Sequence, residues 1–189
     1  MTGVIILAAG SSSRLGLPKQ NLIYKGQTLL QRAIEAALAT AYRPVITVLG
    51  ANADVITPTI SKKPARIIYN QDWEEGMASS IRLGISVMQK FNPETDAVIL
   101  MLCDQPFVTT IVLNQLNHVK SGKGIVASAY NETIGAPVLF DKIYFDELHS
   151  LKGHEGAKKL LLKYPDDVIA IPFPLGSIDI DTVEDYDRL

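Results

Sequence analysis

Apolar positions in this chain come in two kinds of block. Short continuous runs, Val4-Ile5-Ile6-Leu7, Val45-Ile46-Thr47-Val48-Leu49 and Ala97-Val98-Ile99-Leu100-Met101-Leu102-Cys103, read as strands covered on both faces. Longer stretches between them repeat at helical spacing. Thr28 is placed to cap a helix with Leu29, Leu30, Ala33, Ile34, Ala37, Leu38 and Ala41 on one face. Gly76 opens a second helix with Met77, Ile81, Ile85 and Met88 on its buried side, and Val112, Leu113, Leu116 and Val119 mark a third. Strand, helix, strand with such apolar strands is a βαβ unit, which predicts an α/β fold with a parallel sheet and right-handed crossovers.

The rest of the pattern is weaker. Arg66–Tyr69, Gly124–Tyr130, Ala136–Phe140 and Val168–Ile171 are further strand candidates, and Ala157, Leu160, Leu161 and Tyr164 suggest a helix after Gly153-His154-Glu155-Gly156. Asn52 to Lys63 contains Pro58 and holds at most a short helix. Strand alternation over Ile178–Thr182 places Asp179 and Asp181 on one face and Ile178 and Ile180 on the other. Thr182 then starts a terminal helix whose first turn carries Glu184 and Asp185.

Bulk properties narrow the class. With 189 residues, 47% apolar and 20% charged, the chain suits one domain, residues 1–189, with a substantial core. A net charge of −2 argues against a nucleic-acid or anionic-membrane partner. No apolar run approaches the roughly 20 residues of a membrane span. The first apolar run has no positive flank of the signal-peptide kind, and a single cysteine suits a reducing compartment, so a cytoplasmic location is expected.

Candidate chemistry begins where the first strand stops. Leu7-Ala8-Ala9-Gly10-Ser11-Ser12-Ser13-Arg14-Leu15-Gly16-Leu17-Pro18-Lys19 turns abruptly small, hydroxylated and basic. Ala8, Ala9 and Gly10 let backbone N–H groups approach a ligand, successive N–H groups form an anion-binding nest, and Arg14 and Lys19 suit phosphate oxygens. The plainer reading is an ordinary β-to-α connection. Neither a P-loop ending nor G-x-G-x-x-G is present.

Asp104 ends the most apolar strand at a corner fixed by Pro106, where open α/β sheets bind ligands; the alternative is a cap for the next helix. Ser79 and Ser80 begin the helix after Gly76, either as a ligand-binding end or as a solvated cap. The pair Asp179 and Asp181 is either a solvated edge or, beside Asp104, part of a shared metal site. His118, His149 and His154 have no zinc-type spacing, no G-x-S-x-G is present, Cys103 reads as a core residue and Trp73 as a packing one. A phosphate-gripping loop with carboxylates at strand ends and no general base suits transfer to a nucleophile that is already an anion, such as a phosphate monoester.

The spacing Leu7-Ala8-Ala9-Gly10-x-x-x-Arg14-x-Gly16-x-x-Lys19 resembles the signature of nucleotidyltransferases that activate sugars, isoprenoid precursors and the molybdenum cofactor. Asn70-x-Asp72-Trp73-x-x-Gly76-Met77-x-Ser79-Ser80 is similar to a second signature of the molybdenum-cofactor branch. Asp104-Gln105-Pro106, Gly135-x-Pro137, Gly153-x-x-Gly156-Ala157 and Asp179-Ile180-Asp181-Thr182 resemble its later ones, so the likeness extends over nearly the whole chain. It implies a Rossmann-like three-layer αβα sandwich with a largely parallel, mixed sheet, the nucleotide-diphospho-sugar transferase fold. The implied reaction joins a nucleotide from an NTP to the terminal phosphate of molybdopterin and releases pyrophosphate.

By the same resemblance, Leu7, Ala8, Ala9, Gly10, Arg14, Lys19, Gly76 and Ser80 would bind the nucleotide, and Gly135 and Pro137 the acceptor. Asp104 and Asp181 would hold Mg2+, with Asp179 as second choice, and Arg14, Lys19 and Asp104 would carry catalysis. Ala9, where guanylyltransferases of the branch carry glycine, points to CTP. Ala136 stands where a histidine is frequent, and His154 where an acid is. The implied partners are CTP and molybdopterin, with transient contact to a molybdoenzyme. A transferase for another phosphorylated acceptor, or one using GTP, and a non-catalytic nucleotide-binding or cofactor-binding protein are the alternatives.

Overall fold

Each long apolar run forms an element in the computed structural model, which describes residues 1–119 and 124–189. The order is β1 (Thr2–Ala8), β2 (Ile23–Tyr24), β3 (Gln27–Thr28), α1 (Leu29–Leu38), β4 (Val45–Leu49), α2 (Ala53–Ile60), β5 (Arg66–Tyr69), α3 (Met77–Phe91) and β6 (Ala97–Leu102). Then follow α4 (Thr110–His118), β7 (Ile125–Tyr130), β8 (Thr133–Asp141), α5 (Phe145–His149), α6 (Lys158–Lys163), β9 (Val168–Pro172) and α7 (Val183–Asp187). Seven strands make one sheet in the order β5-β4-β1-β6-β8-β7-β9, while β2 and β3 form a small hairpin of their own. β5, β4, β1 and β6 are mutually parallel, as are β7 and β9; β8 runs antiparallel to both of its neighbours.

Alternation along β1 explains the layers. Val4, Ile6 and Ala8 face one core with Leu30, Ile34, Ile56 and Leu113 from α1, α2 and α4. Ile5 and Leu7 face the other, with Ile81, Ile85 and Met88 from α3 and with Phe145 and Leu160 beyond them. Both faces of the sheet are therefore covered, which is why its central strands carry no polar alternation. The architecture is a Rossmann-like αβα sandwich with a largely parallel mixed sheet.

Several boundaries differ from the sequence expectation, each for a local reason. Ile178–Thr182 is not a strand; its extended backbone is pinned through the Ile180 N–H, which donates to the Asp104 carbonyl at 3.0 Å, and through Ile180 itself, fully buried with Leu15, Leu22 and Leu29. A single buried anchor between exposed neighbours gives the same period of two as a strand. Ala41 lies past the end of α1, where the Thr40 hydroxyl donates back to the Ala37 carbonyl. Met77 is exposed rather than buried, because the first residue of α3 overhangs a cleft instead of the sheet. β8 starts at Thr133, since Asn131 and Glu132 alone make the hairpin turn, both with positive φ. Gly135-Ala136-Pro137 therefore lies inside a strand, at a register shift opposite Ala127 and Ser128 that leaves Ala136 and Pro137 outside the ladder.

Thr28 does cap α1. Its hydroxyl accepts from the Gln31 N–H at 3.0 Å while the Gln31 side chain accepts from the Thr28 N–H at 2.9 Å, a reciprocal capping box. Thr28→Ala is expected to lower the unfolding free energy by about 1 kcal/mol with an unchanged denaturant slope in urea melts.

Candidate active site

The chain leaves β1 for β4 and β5 on one side and later returns to place β6 on the other, so the sheet order reverses between β1 and β6. Ligands bind at such a switch point, beyond the carboxyl ends of the strands. The loop from Ala9 to Pro18 leaves β1 there, and Asp104 follows β6 beside it, with the Cys103 N–H facing the Leu7 carbonyl.

Gln20, fully buried, holds the loop. Its amide donates to the carbonyls of Ala8 at 2.8 Å and Gly10 at 3.0 Å. Those carbonyls are turned inward, and the N–H groups from Ser11 to Arg14 meet no acceptor among the described residues, the arrangement an anion nest requires. The Ser12 hydroxyl accepts from the Lys19 N–H at 3.0 Å, which closes the loop on itself.

Lys19 is the hub of the charged groups. Its ammonium donates to Asp104 Oδ2 at 2.6 Å and to Asp181 Oδ1 at 2.8 Å, with its side chain 15% exposed and that of Asp104 13%. Arg14, 68% exposed, reaches Asp181 Oδ2 at 2.8 Å. Burial alone would lower the Lys19 pKa, but the Asp104 charge and the bonds to both carboxylates outweigh it, and the ammonium is held well above the ordinary lysine value. Burial opposes ionisation of Asp181, yet Lys19 and Arg14 prevail and bring its carboxyl below the usual range. Asp179 moves the other way: burial, then the charges of Asp104 and Asp181, raise it. The pair is thus split, with Asp181 in the ion cluster and Asp179 beside it.

The opposite wall comes from the start of α3. Asn70 is buried and donates to Ser79 Oγ at 2.7 Å and Ser80 Oγ at 2.9 Å, so these hydroxyls are neither solvated caps nor free. Gly76 has φ +117°, and a Cβ there would run into the Gly153 carbonyl. That carbonyl accepts from the Ala78 N–H at 3.1 Å, so the loop carrying His154 is docked on α3.

Between the walls lies a cleft of about 380 Å³, lined by Leu7, Ala8, Ala9, Gly10, Lys19, Gly76, Ser80 and Asp104. Eight of the residues singled out from sequence therefore share one cavity. A second pocket of about 270 Å³ adjoins it, sharing Leu7, Met77, Leu102 and His154; Leu100, Ile134, Ala136 and Val138 make much of the rest of its wall, with Tyr130, Thr133 and Lys158 as its further polar groups. Gly135 is on this wall. Pro137 is not: it is buried, and its carbonyl accepts from the Ser128 hydroxyl at 2.9 Å. Arg14 stands outside the main cleft, at a smaller depression with Ser12, Ser13 and Asp181.

Sequence reasoning missed Gln20, Trp73, Met77 and His154 as cleft residues. Gln20 carried no signal, since a buried amide reads like any other polar residue. Met77 and Trp73 looked like core. The reading of Asp104 as a helix cap is not what the structure shows, because Thr109 precedes α4 and Asp104 bonds Lys19. Cys103 is buried, and that burial, with the adjacent Asp104 charge, pushes its thiol up to about 12, so it is no nucleophile.

Two carboxylates of the site are candidates to hold a divalent cation. Asp104 Oδ1 is buried with no hydrogen-bond partner, and Asp181 lies across Lys19 from it. Among the described residues no group of three or more His, Cys, Asp or Glu side chains is arranged to hold a metal ion by itself. Two carboxylates next to a phosphate-type loop fit a hard ion such as Mg2+ or Mn2+, which binds through one or two carboxylates and completes its shell with water and phosphate oxygens.

Switch-point cleft, anion-type loop and strand-end carboxylates together define an α/β fold of the nucleotide-diphospho-sugar transferase class. The chain belongs to the MobA-like NTP transferase domain family, whose model matches residues 4–168. It is 33% identical over 201 residues to the nicotine blue oxidoreductase of Paenarthrobacter nicotinovorans, covering 100% of this chain and 96% of that protein. To the molybdenum cofactor cytidylyltransferase of Escherichia coli (strain K12) it is 25% identical, over 96% of this chain and 92% of that one. Rv0371c from Mycobacterium tuberculosis H37Rv superposes with a TM-score of 0.86 at 30% identity, covering 99% and 95% of the two chains. A structure of Rv0371C described as a complex with manganese does so at 0.81 and 28%, covering 100% and 96%.

Two stability measurements check this geometry. Gln20→Leu leaves the Ala8 and Gly10 carbonyls without their donor and is expected to cost about 1–3 kcal/mol in denaturant melts. A carboxyl whose folded pKa is raised stabilises the fold when protonated, and that contribution is lost as pH rises through the folded value. Asp179→Asn is therefore expected to raise Tm at neutral pH by about 1–2 °C and to leave it unchanged below the unfolded pKa of about 3.9.

Proposed function

We propose that this chain, acting as one domain over residues 1–189 in the cytoplasm, transfers CMP from CTP to the terminal phosphate of the molybdopterin cofactor. The observation that carries the reading is the meeting of Lys19, Asp104 and Asp181 at the switch point, beside the loop of Leu7 to Gly10. An oxygen of the acceptor's phosphate monoester forms a bond to the α-phosphorus of CTP. The bond from that phosphorus to the oxygen bridging the β-phosphate breaks, and pyrophosphate leaves with the electron pair. The attacking oxygen is already an anion, so the reading assigns no general base.

The residues divide the work by position. Loop N–H groups, Arg14 and Lys19 hold the charge that accumulates on the departing pyrophosphate. Gly76 and Ser80 border the base or ribose, and the small side chain of Ala9 supports CTP. Gly135 and Ala136 border the acceptor, while Pro137 shapes that wall from within. Asp104 and Asp181 would hold Mg2+, which when bound supplies Lewis-acid neutralisation of phosphate charge. Holding attacking and leaving oxygens in line supplies much of the acceleration. The likeness to a molybdenum cofactor cytidylyltransferase supports the acceptor and base choice.

A second reading has one observation of its own. The pocket beside the cleft is walled largely by aliphatic side chains, which suits an apolar organic substrate, and a 33% identical relative is named an oxidoreductase of nicotine blue. Loss of nicotine blue colour with a nicotinamide hydride donor, and no pyrophosphate released, would favour it.

The deciding assay is pyrophosphate release with each of the four NTPs and Mg2+, with and without molybdopterin. Release is expected with CTP and acceptor together, falling roughly a hundredfold or more in Asp104→Asn. Silence with CTP and molybdopterin in a folded protein would overturn the acceptor; full activity of Asp104→Asn would overturn the role given to Asp104.

A further inference from the structure

Lys19 is poised between two kinds of partner. We infer that its ammonium is a resident occupant of the divalent-cation site, so that metal and triphosphate bind through one exchange of partners around Lys19. The inference rests on the assignment of Asp104 and Asp181 to a cation under the proposed function.

Three observations carry it. The ammonium lies within hydrogen-bond distance of both carboxylates, at 2.6 Å and 2.8 Å, which is where a cation bridging Asp104 and Asp181 would have to make its own contacts. The pair is sheltered, with Lys19 and Asp104 each no more than 15% exposed, so water screens the attraction poorly and a competing ion must displace it. Arg14, the loop's other cation, is committed to Asp181 Oδ2. Both positive groups of the loop, Arg14 and Lys19, are thus paired with the carboxylates, and among the described residues no other cation is paired at this cluster.

The consequence follows from charge and space. A divalent ion entering between Asp104 and Asp181 takes over the oxygens that Lys19 holds. The displaced ammonium is tethered next to the loop N–H groups through its own backbone, whose N–H is fixed on Ser12 Oγ, so it is presented to the triphosphate. A bound metal would thus complete the phosphate site by releasing Lys19 to it, and phosphate would in turn stabilise the metal by holding the ammonium away. The coupling is reciprocal.

The test uses metal alone. Mn2+ affinity, without nucleotide, is measured by calorimetry for the wild type, for Lys19→Met and for Lys25→Met, a control on the exposed hairpin turn that stacks on Tyr24. Lys19→Met is expected to bind Mn2+ at least tenfold more tightly than wild type, with Lys25→Met unchanged. Should Lys19→Met fail to fold, Lys19→Gln keeps donors for both carboxylates without the charge and is expected to shift in the same direction. Mn2+ bound no more tightly by either neutral variant would overturn the inference, as would an equal gain in Lys25→Met. Pyrophosphate binding supplies the second arm: loss of Lys19 should cost less than threefold without Mn2+ and more than tenfold with it, and an equal cost in both conditions would contradict the exchange. These readouts are independent of turnover, so wild-type pyrophosphate release with no change in Mn2+ affinity would overturn the role of Lys19 alone.

Discussion

One ammonium group joins three distant parts of this chain. Lys19 belongs to the loop after β1, Asp104 follows β6, and Asp181 lies in the segment before α7. Nothing local brings these residues together. β1 and β6 do so by pairing side by side in parallel, which sets their carboxyl ends next to each other. Asp181 arrives by a different route, through Ile180, whose burial against Leu15, Leu22 and Leu29 clamps the C-terminal segment onto the loop. Removing one partner from the sheltered Lys19–Asp104 pair would leave a charge without compensation, so the cluster ties the loop to the end of β6.

The loop itself is held by neutral groups. Gln20 fixes the carbonyls of Ala8 and Gly10, and Ser12 receives the Lys19 N–H. Polar satisfaction inside the fold and an outward set of N–H donors are two sides of one arrangement. On the other side, Asn70 ties the segment before α3 to Ser79 and Ser80, and the Gly153 carbonyl docks on the Ala78 N–H. The cleft is therefore built on rigid strand and helix ends, with the aliphatic pocket as its continuation. Relatives of one fold carry names from different chemistries, a transferase and an oxidoreductase among them, as expected where function resides in the residues grafted on a shared scaffold.

Much of this was legible in the sequence because continuous burial leaves a continuous apolar run. β1, β4 and β6 were visible for that reason, and Thr28 and Thr182 were visible as caps because their side chains act within three residues. The loop and Asp104 were legible because they sit at abrupt changes of composition at strand ends. What escaped depended on long-range partners. The alternation at Ile178–Thr182 came from one buried isoleucine rather than a sheet, and Met77 kept helical spacing while facing the cleft. Gln20 and Pro137 are defined wholly by what surrounds them, which spacing does not encode.

Under the proposed function, the carboxyl ends of β1 and β6 would form, with Asp181, one site for a divalent cation and a nucleoside triphosphate. Crystals grown with MnCl2 and a non-hydrolysable CTP analogue test it most directly, through the anomalous signal of manganese. A manganese peak in contact with Asp104 and Asp181 is expected, with the triphosphate along the loop from Ala8 to Arg14 and the Lys19 ammonium turned from the carboxylates to phosphate oxygens. Manganese bound elsewhere, or a nucleotide seated with Lys19 still bridging Asp104 and Asp181, would contradict it.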